Sequence, residues 1–192
     1  MRSLVILTVL VGAAGYGVFR QLPEGKAEAD TAAPAPAARK VEGISLDAKK
    51  LAVPVTELRT VLSTHTGDAL DRTRLERDRT ALENELVSRG YLAAQVASPQ
   101  IGFDENDGAF VTFPIAQGPL YHVHAVAVTG ATAKDAGVVT IASGEPVEAD
   151  RLSHAKDALA ARLTARGKRH SVEVKLTRDD RSATVDVELA AK

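Results

Sequence analysis

The sequence predicts an α+β chain of two tandem βααββ modules, each laying a three-stranded sheet against two helices. Three observations predict it. The chain aligns with itself at an offset of 77 residues. The aligned positions trace one apolar face of a helix in each copy. Each of those helices is followed by two runs of alternating apolar residues with a polar turn between them.

Ahead of the modules, Met1-Arg2 precedes an uncharged stretch from Ser3 to Phe19, rich in Leu, Val and Ile and closed by Arg20. As a helix it would span roughly 25 Å, slightly short of a hydrocarbon core. Residues 1–20 therefore read in two ways. Leu4–Val11 can be the apolar part of a signal peptide, with Ala13-Ala14-Gly15 as its cleavage site. Alternatively, residues 3–19 stay in the inner membrane as an anchor, with Arg2 on the cytoplasmic side. Both readings export the rest of the chain. Residues 21–40 are rich in Ala, Pro and Glu without apolar periodicity, the composition of a disordered, solvated linker. Residues 41–119 and 120–192 are then the two modules.

The long helix of each module carries the repeat. Leu75, Leu82 and Leu86 lie at i, i+7 and i+11, and Leu152, Leu159 and Leu163 repeat them. Gly90 and Gly167 follow the last periodic residue, where a left-handed C-cap favours glycine. Arg89 and Arg166 fall in the last turn, where the helix dipole favours a cation. Asp71 and Asp150 are the expected N-caps. A shorter helix precedes each, Pro54–Leu62 and Ala133–Thr140, followed by a Gly turn at Gly67 or Gly144.

Downstream, Val172, Val174 and Leu176 alternate with polar residues, Arg178–Ser182 turns the chain, and Val185, Val187 and Leu189 alternate on the return. In the first copy Gln95–Ile101 leads through Asp104–Gly108 to Val111, Phe113 and Ile115. Leading strands complete the modules at Val41–Ala48 and Tyr121–Thr129.

The run Leu82-x3-Leu86-x2-Arg89-Gly90-Tyr91, then Val111–Ile115, then Gly118-Pro119-x-Tyr121, resembles the POTRA modules of outer-membrane assembly and secretion proteins. Val126-x-Val128-x-Gly130 resembles the opening strand and turn of a following module. Two departures stand out. Pro114 falls in a strand the family places centrally, where it removes a ladder donor, and Lys168 replaces the residue matched by Tyr91. No room is left after Lys192 for barrel strands, so two modules without a β-barrel are expected.

The resemblance implies a non-catalytic periplasmic module that binds unfolded or nascent outer-membrane polypeptides, or a β-barrel assembly partner. Partner strands would add to a sheet edge. The edge residues it implicates are Val172, Glu173, Val174, Lys175 and Leu176, with Gln95, Val96 and Ala97 in the first module. Glu173 and Lys175 on that edge would discourage uncontrolled pairing. The alternative is a membrane-tethered structural adaptor of the cell-division or envelope type.

Other chemistry is disfavoured. Basic and acidic residues number 24 and 25, which argues against nucleic acid as a partner. A KH-type RNA module would need a Gly-x-x-Gly loop where Thr66-Gly67-Asp68-Ala69 stands. There is no Cys, so disulfides and thiolate chemistry are excluded. His122 and His124 lack a third metal ligand in the sequence around them. Asp104–Gly108 reads as a hairpin turn, not a calcium loop. Arg72, Arg74, Arg77 and Arg79 alternate with acids as a solvated, ion-paired face. No catalytic, cofactor or metal site is expected.

Overall fold

The computed structural model describes residues 39–167 and 171–192. The expected membrane segment and most of the linker lie outside the described residues. The first unit runs β1 (Val41–Asp47), α1 (Val55–Thr60), α2 (Arg72–Ser88), β2 (Gln95–Val96), β3 (Gln100–Phe103) and β4 (Ala109–Ala116). The second runs β5 (His122–Thr129), α3 (Ala133–Ala136), α4 (Ala149–Thr164), β6 (Val172–Asp179) and β7 (Thr184–Ala191). The α+β architecture of two βααββ units is the one the sequence predicts, with the middle strand of the first unit in two pieces, β2 and β3.

Local chemistry sets the helix ends. The Asp71 carboxylate accepts from the Thr73 and Arg74 N–H groups at 2.8 and 3.3 Å, capping α2. At its other end the Tyr91 N–H reaches the Leu86 carbonyl at 3.1 Å and the Gly90 N–H reaches that of Val87 at 3.0 Å. Gly90 takes φ +92° to allow this. On α4 the expected cap is displaced: Asp150 lies in the first turn, and Glu148 occupies the cap position without a capping bond. Its carboxylate is taken by Arg151 at 3.1 Å. The helix expected over Ala133–Thr140 is only α3, which reaches its C-cap at Gly137.

In both units the last strand is central. β1 runs parallel to β4 while β2 and β3 pair antiparallel on its other side. β5 runs parallel to β7 with β6 antiparallel on its other side. The inward residues Val111, Phe113 and Ile115 of β4 meet Leu75, Leu82 and Leu86 of α2 in one core. Val185, Val187 and Leu189 of β7 meet Ala155, Leu159 and Leu163 of α4 in the other. The Asp104–Gly108 turn forms as predicted, with the Asp104 carboxylate accepting from the Asn106 and Gly108 N–H groups at 2.9 and 2.7 Å.

The strand expected over Gln95–Ile101 is broken in two, and Pro114 is the cause. The Ala97 N–H donates to the Pro114 carbonyl at 2.9 Å. In an antiparallel pair such a residue returns a second bond, which proline cannot. The register then slips by one residue, from Val96 opposite Ile115 to Gln100 opposite Thr112. The Pro114 nitrogen points to this edge, so the parallel ladder with β1 on the other side continues up to Asp47 opposite Pro114.

Candidate partner-binding edge

The five residues implicated in the second unit, Val172, Glu173, Val174, Lys175 and Leu176, lie together on β6, an edge strand bonded to β7 alone. Ser171 and Lys192 exchange both main-chain bonds, at 3.2 and 2.9 Å. Parity then assigns the rest of the ladder. Glu173, Lys175 and Thr177 turn their N–H and C=O groups to β7, while Val172, Val174 and Leu176 turn theirs outward. Those outward groups have no partner among the described residues.

Side chains alternate with the same period. Glu173 and Lys175 lie exposed on the outer face. Val172 is buried, Val174 half-buried and Leu176 39% exposed on the face toward α4. Between β6 and the first turns of α4 runs an open groove of about 850 Å³, lined by Leu152, Ser153 and Lys156 opposite Val174 and Leu176. An extended strand laid along this edge would gain main-chain bonds from β6 and apolar contact in the groove.

The far end of β6 is tied down. Arg178 Nη1 donates to the Leu92 carbonyl at 2.8 Å, and its Nε pairs with Asp180. Asp180 in turn accepts from the Tyr121 hydroxyl at 2.7 Å, which holds the Tyr121 phenol above its usual range. The Asp179 carboxylate, bonded by the Arg181 N–H and the Ser182 hydroxyl, stays below the ordinary carboxylate range. The open stretch of edge is therefore Val172–Leu176.

Gln95, Val96 and Ala97 lie at the matching place in the first unit, where the geometry is different. Val96 is buried, and its outward N–H and C=O are bonded by Glu83 and Arg79 of α2 at 3.4 and 3.3 Å. Two side chains thus take the places an added strand would use. Arg79 also pairs with Glu76 at 2.7 Å, as the ion-paired face of the helix predicts. The capping of Val96 has no signal in the sequence. A hollow of about 1110 Å³ next to this edge includes Gln95, Ala97 and Gln117 in its lining. Gln117 Oε1 accepts from the Ala52 N–H at 2.7 Å, which fixes the amide, and its buried Nε2 has no partner among the described residues.

His124 bonds Asp186 at 2.9 Å, and a register shift between Val123 and Ala125 breaks the regular alternation that would align it with His122. No helix among the described residues is long and apolar enough to cross a membrane.

Residues 40–118 match the POTRA family model, described as a surface antigen variable number repeat. No curated protein matches the chain in sequence. Among solved structures, it is similar to POTRA3-5 of BamA from Haemophilus influenzae, at 15% identity and a TM-score of 0.58. That match covers 80% of this chain and 66% of the other. It is also similar to BamA from Haemophilus ducreyi lacking POTRA domains 1-3, at 21% identity and a TM-score of 0.53, covering 80% of this chain and 28% of that one. The chain thus spans less than two thirds of either relative. At these identities the likeness is one of fold. Residues 40–118 thus match the POTRA family model, and the chain as a whole shares the fold of tandem POTRA domains.

Proposed function

We propose that this chain is a periplasmic protein-binding module for outer-membrane protein assembly or polypeptide transport, taking partner strands onto β6 by β-augmentation. The observation that carries this reading is the open edge at Val172–Leu176, with its outward main-chain groups unpaired beside an apolar-lined groove. The POTRA match at residues 40–118 supports the periplasmic setting. Its partners are unfolded or nascent outer-membrane polypeptides, or a β-barrel assembly partner. Residues 3–19 hold it at the inner membrane. The modules are residues 41–119 and 120–192, and the second carries the working edge, because Glu83 and Arg79 occupy the first.

In-cell photo-crosslinking from Lys175 and Leu176 tests this. Adducts with outer-membrane proteins or their assembly factors are expected. They should vanish in Val174→Pro, which removes an outward donor while leaving the bonds to β7 in place. Adducts that survive Val174→Pro would defeat the augmentation mechanism. Adducts confined to division or envelope-scaffold proteins would defeat the assembly function.

A further inference from the structure

The open edge is complementary to itself in one register. We infer that β6 pairs antiparallel with β6 of a second copy of this chain about a two-fold axis at Val174, joining the two second-unit sheets into one. An antiparallel edge contact needs the outward-facing residues of both strands to meet, so Val172, Val174 and Leu176 must pair among themselves. Centring on Val174 places Val172 opposite Leu176 of the partner and Val174 opposite its own copy. About six main-chain hydrogen bonds form across the seam.

The outer face selects this register. Centred on Val174, Glu173 stands opposite Lys175 of the partner, and Lys175 opposite the partner's Glu173. Both pairs are non-hydrogen-bonded positions, where cross-strand side chains lie closest. Ser171 and Thr177 face each other one step further out. Sliding the partner by two residues one way sets Glu173 against Glu173, and the other way sets Lys175 against Lys175. Like charges directly opposite are destabilising. The same two residues that blunt slipped pairings therefore favour the centred one. The intrachain pair of Glu173 with Lys192, at 2.6 Å, is more than half exposed and too weak to withhold Glu173.

Both faces of the seam are supplied. On the helix side the partner's Leu176 and Val172 extend the apolar lining that Leu152, Val174 and Leu176 give the groove. The contact is isologous and closes on two copies, so it ends in a dimer and not a fibre. It also covers the edge that a client strand would use. Self-association therefore competes with client binding at the same main-chain groups.

The chain has no cysteine, so single cysteines report the register in the full chain kept in mild detergent. Val174→Cys should form a disulfide-linked dimer on mild oxidation, since paired Cα atoms there stand about 5.5 Å apart. Val172→Cys and Leu176→Cys should not form dimers separately, and should when mixed. On the Val174→Cys background, Glu173→Lys or Lys175→Glu should lower the dimer constant roughly tenfold, by turning two attractive pairs repulsive. The double exchange, or a mixture of the two single variants, should restore it. No Val174→Cys dimer, a dimer indifferent to either reversal, or a double exchange that fails to rescue would overturn the proposal. Client adducts from Lys175 do not depend on these outcomes, so the two readings of the edge fail separately.

Discussion

Asp78 occupies on α2 the position that Ala155 holds on α4. It is 2% exposed, and its carboxylate accepts from the Ser63 N–H, the Ser63 hydroxyl and the Thr64 N–H at 2.7, 2.6 and 3.1 Å. The matching residues of the second unit are Thr140 and Ile141, and Ile141 packs on its core. One copy fixes the loop after its short helix by hydrogen bonds, the other by apolar contact. Burial pushes the Asp78 carboxyl up, but the bonds from Ser63 and Thr64 outweigh it and hold it below the usual carboxylate range. A depressed folded-state pKa stabilises the fold above the unfolded-state value and loses that contribution as pH falls through the folded one. Asp78→Asn should therefore cost about 1–3 kcal/mol near neutral pH. The gap to the wild type should narrow as pH drops below the ordinary aspartate range. Urea midpoints of the two proteins at neutral and acid pH measure both effects. Self-alignment could not reveal this lock, because it finds residues that repeat and Asp78 is one that was exchanged.

At the scale of elements, α2 and α4 were legible almost entirely from their leucine spacing, since a helical face is set within a few residues of chain. Leu82 and Leu159 are both fully buried. Leu82→Ala and Leu159→Ala should each cost roughly 2–5 kcal/mol, and each should loosen its own sheet first. Amide exchange read separately over β4 and β7 checks this; equal effects on both strands from either change would contradict two separate cores. The arginines at the ends of the long helices carry more than the dipole reading assigned them. Arg89 bonds Glu57 of α1, and Arg166 bonds Asp135 of α3 at 2.8 Å. Thr132 donates to that same Asp135 carboxylate, which with Arg166 and Arg162 keeps it below the carboxylate range despite its burial. Each short helix is thus tied to the end of the long one by an ion pair. The tie repeats in kind but shifts by one position in the offset, which hid it from the alignment. The edge strands were legible as alternation, but β2 and β3 were not legible as two strands, because the break depends on which residue lies opposite Pro114.

For the molecule as a whole, the segment after α2 joins the two units. Leu92 and Ala93 pack against the second core, and the Tyr121 N–H donates to the Gly90 carbonyl at 2.9 Å. A Cβ on Gly90 would stand 2.7 Å from the Val147 carbonyl oxygen, at a φ of +92°. Gly90 serves as a C-cap, as its place after the helix predicts, and also allows the approach of the second unit. Gly90→Ala should cost about 1–3 kcal/mol through backbone strain and should separate the unfolding of the two units. Amide exchange should show the openings of the two units lying further apart in the variant than in the wild type; an unchanged pattern would exclude this role for Gly90. The sequence by itself determined the repeat, the helix faces, the Asp71 and Gly90 caps, the hairpin turn and the alternating strands. All of these depend on residues close together in the chain, where periodicity and capping chemistry act. The tertiary structure alone decided which edge is open. Glu83 and Arg79 close the first by meeting Val96 across 13 and 17 residues of chain, while nothing among the described residues does so at β6. A sheet edge is free or occupied according to what the fold brings opposite its main chain, and no local pattern encodes that.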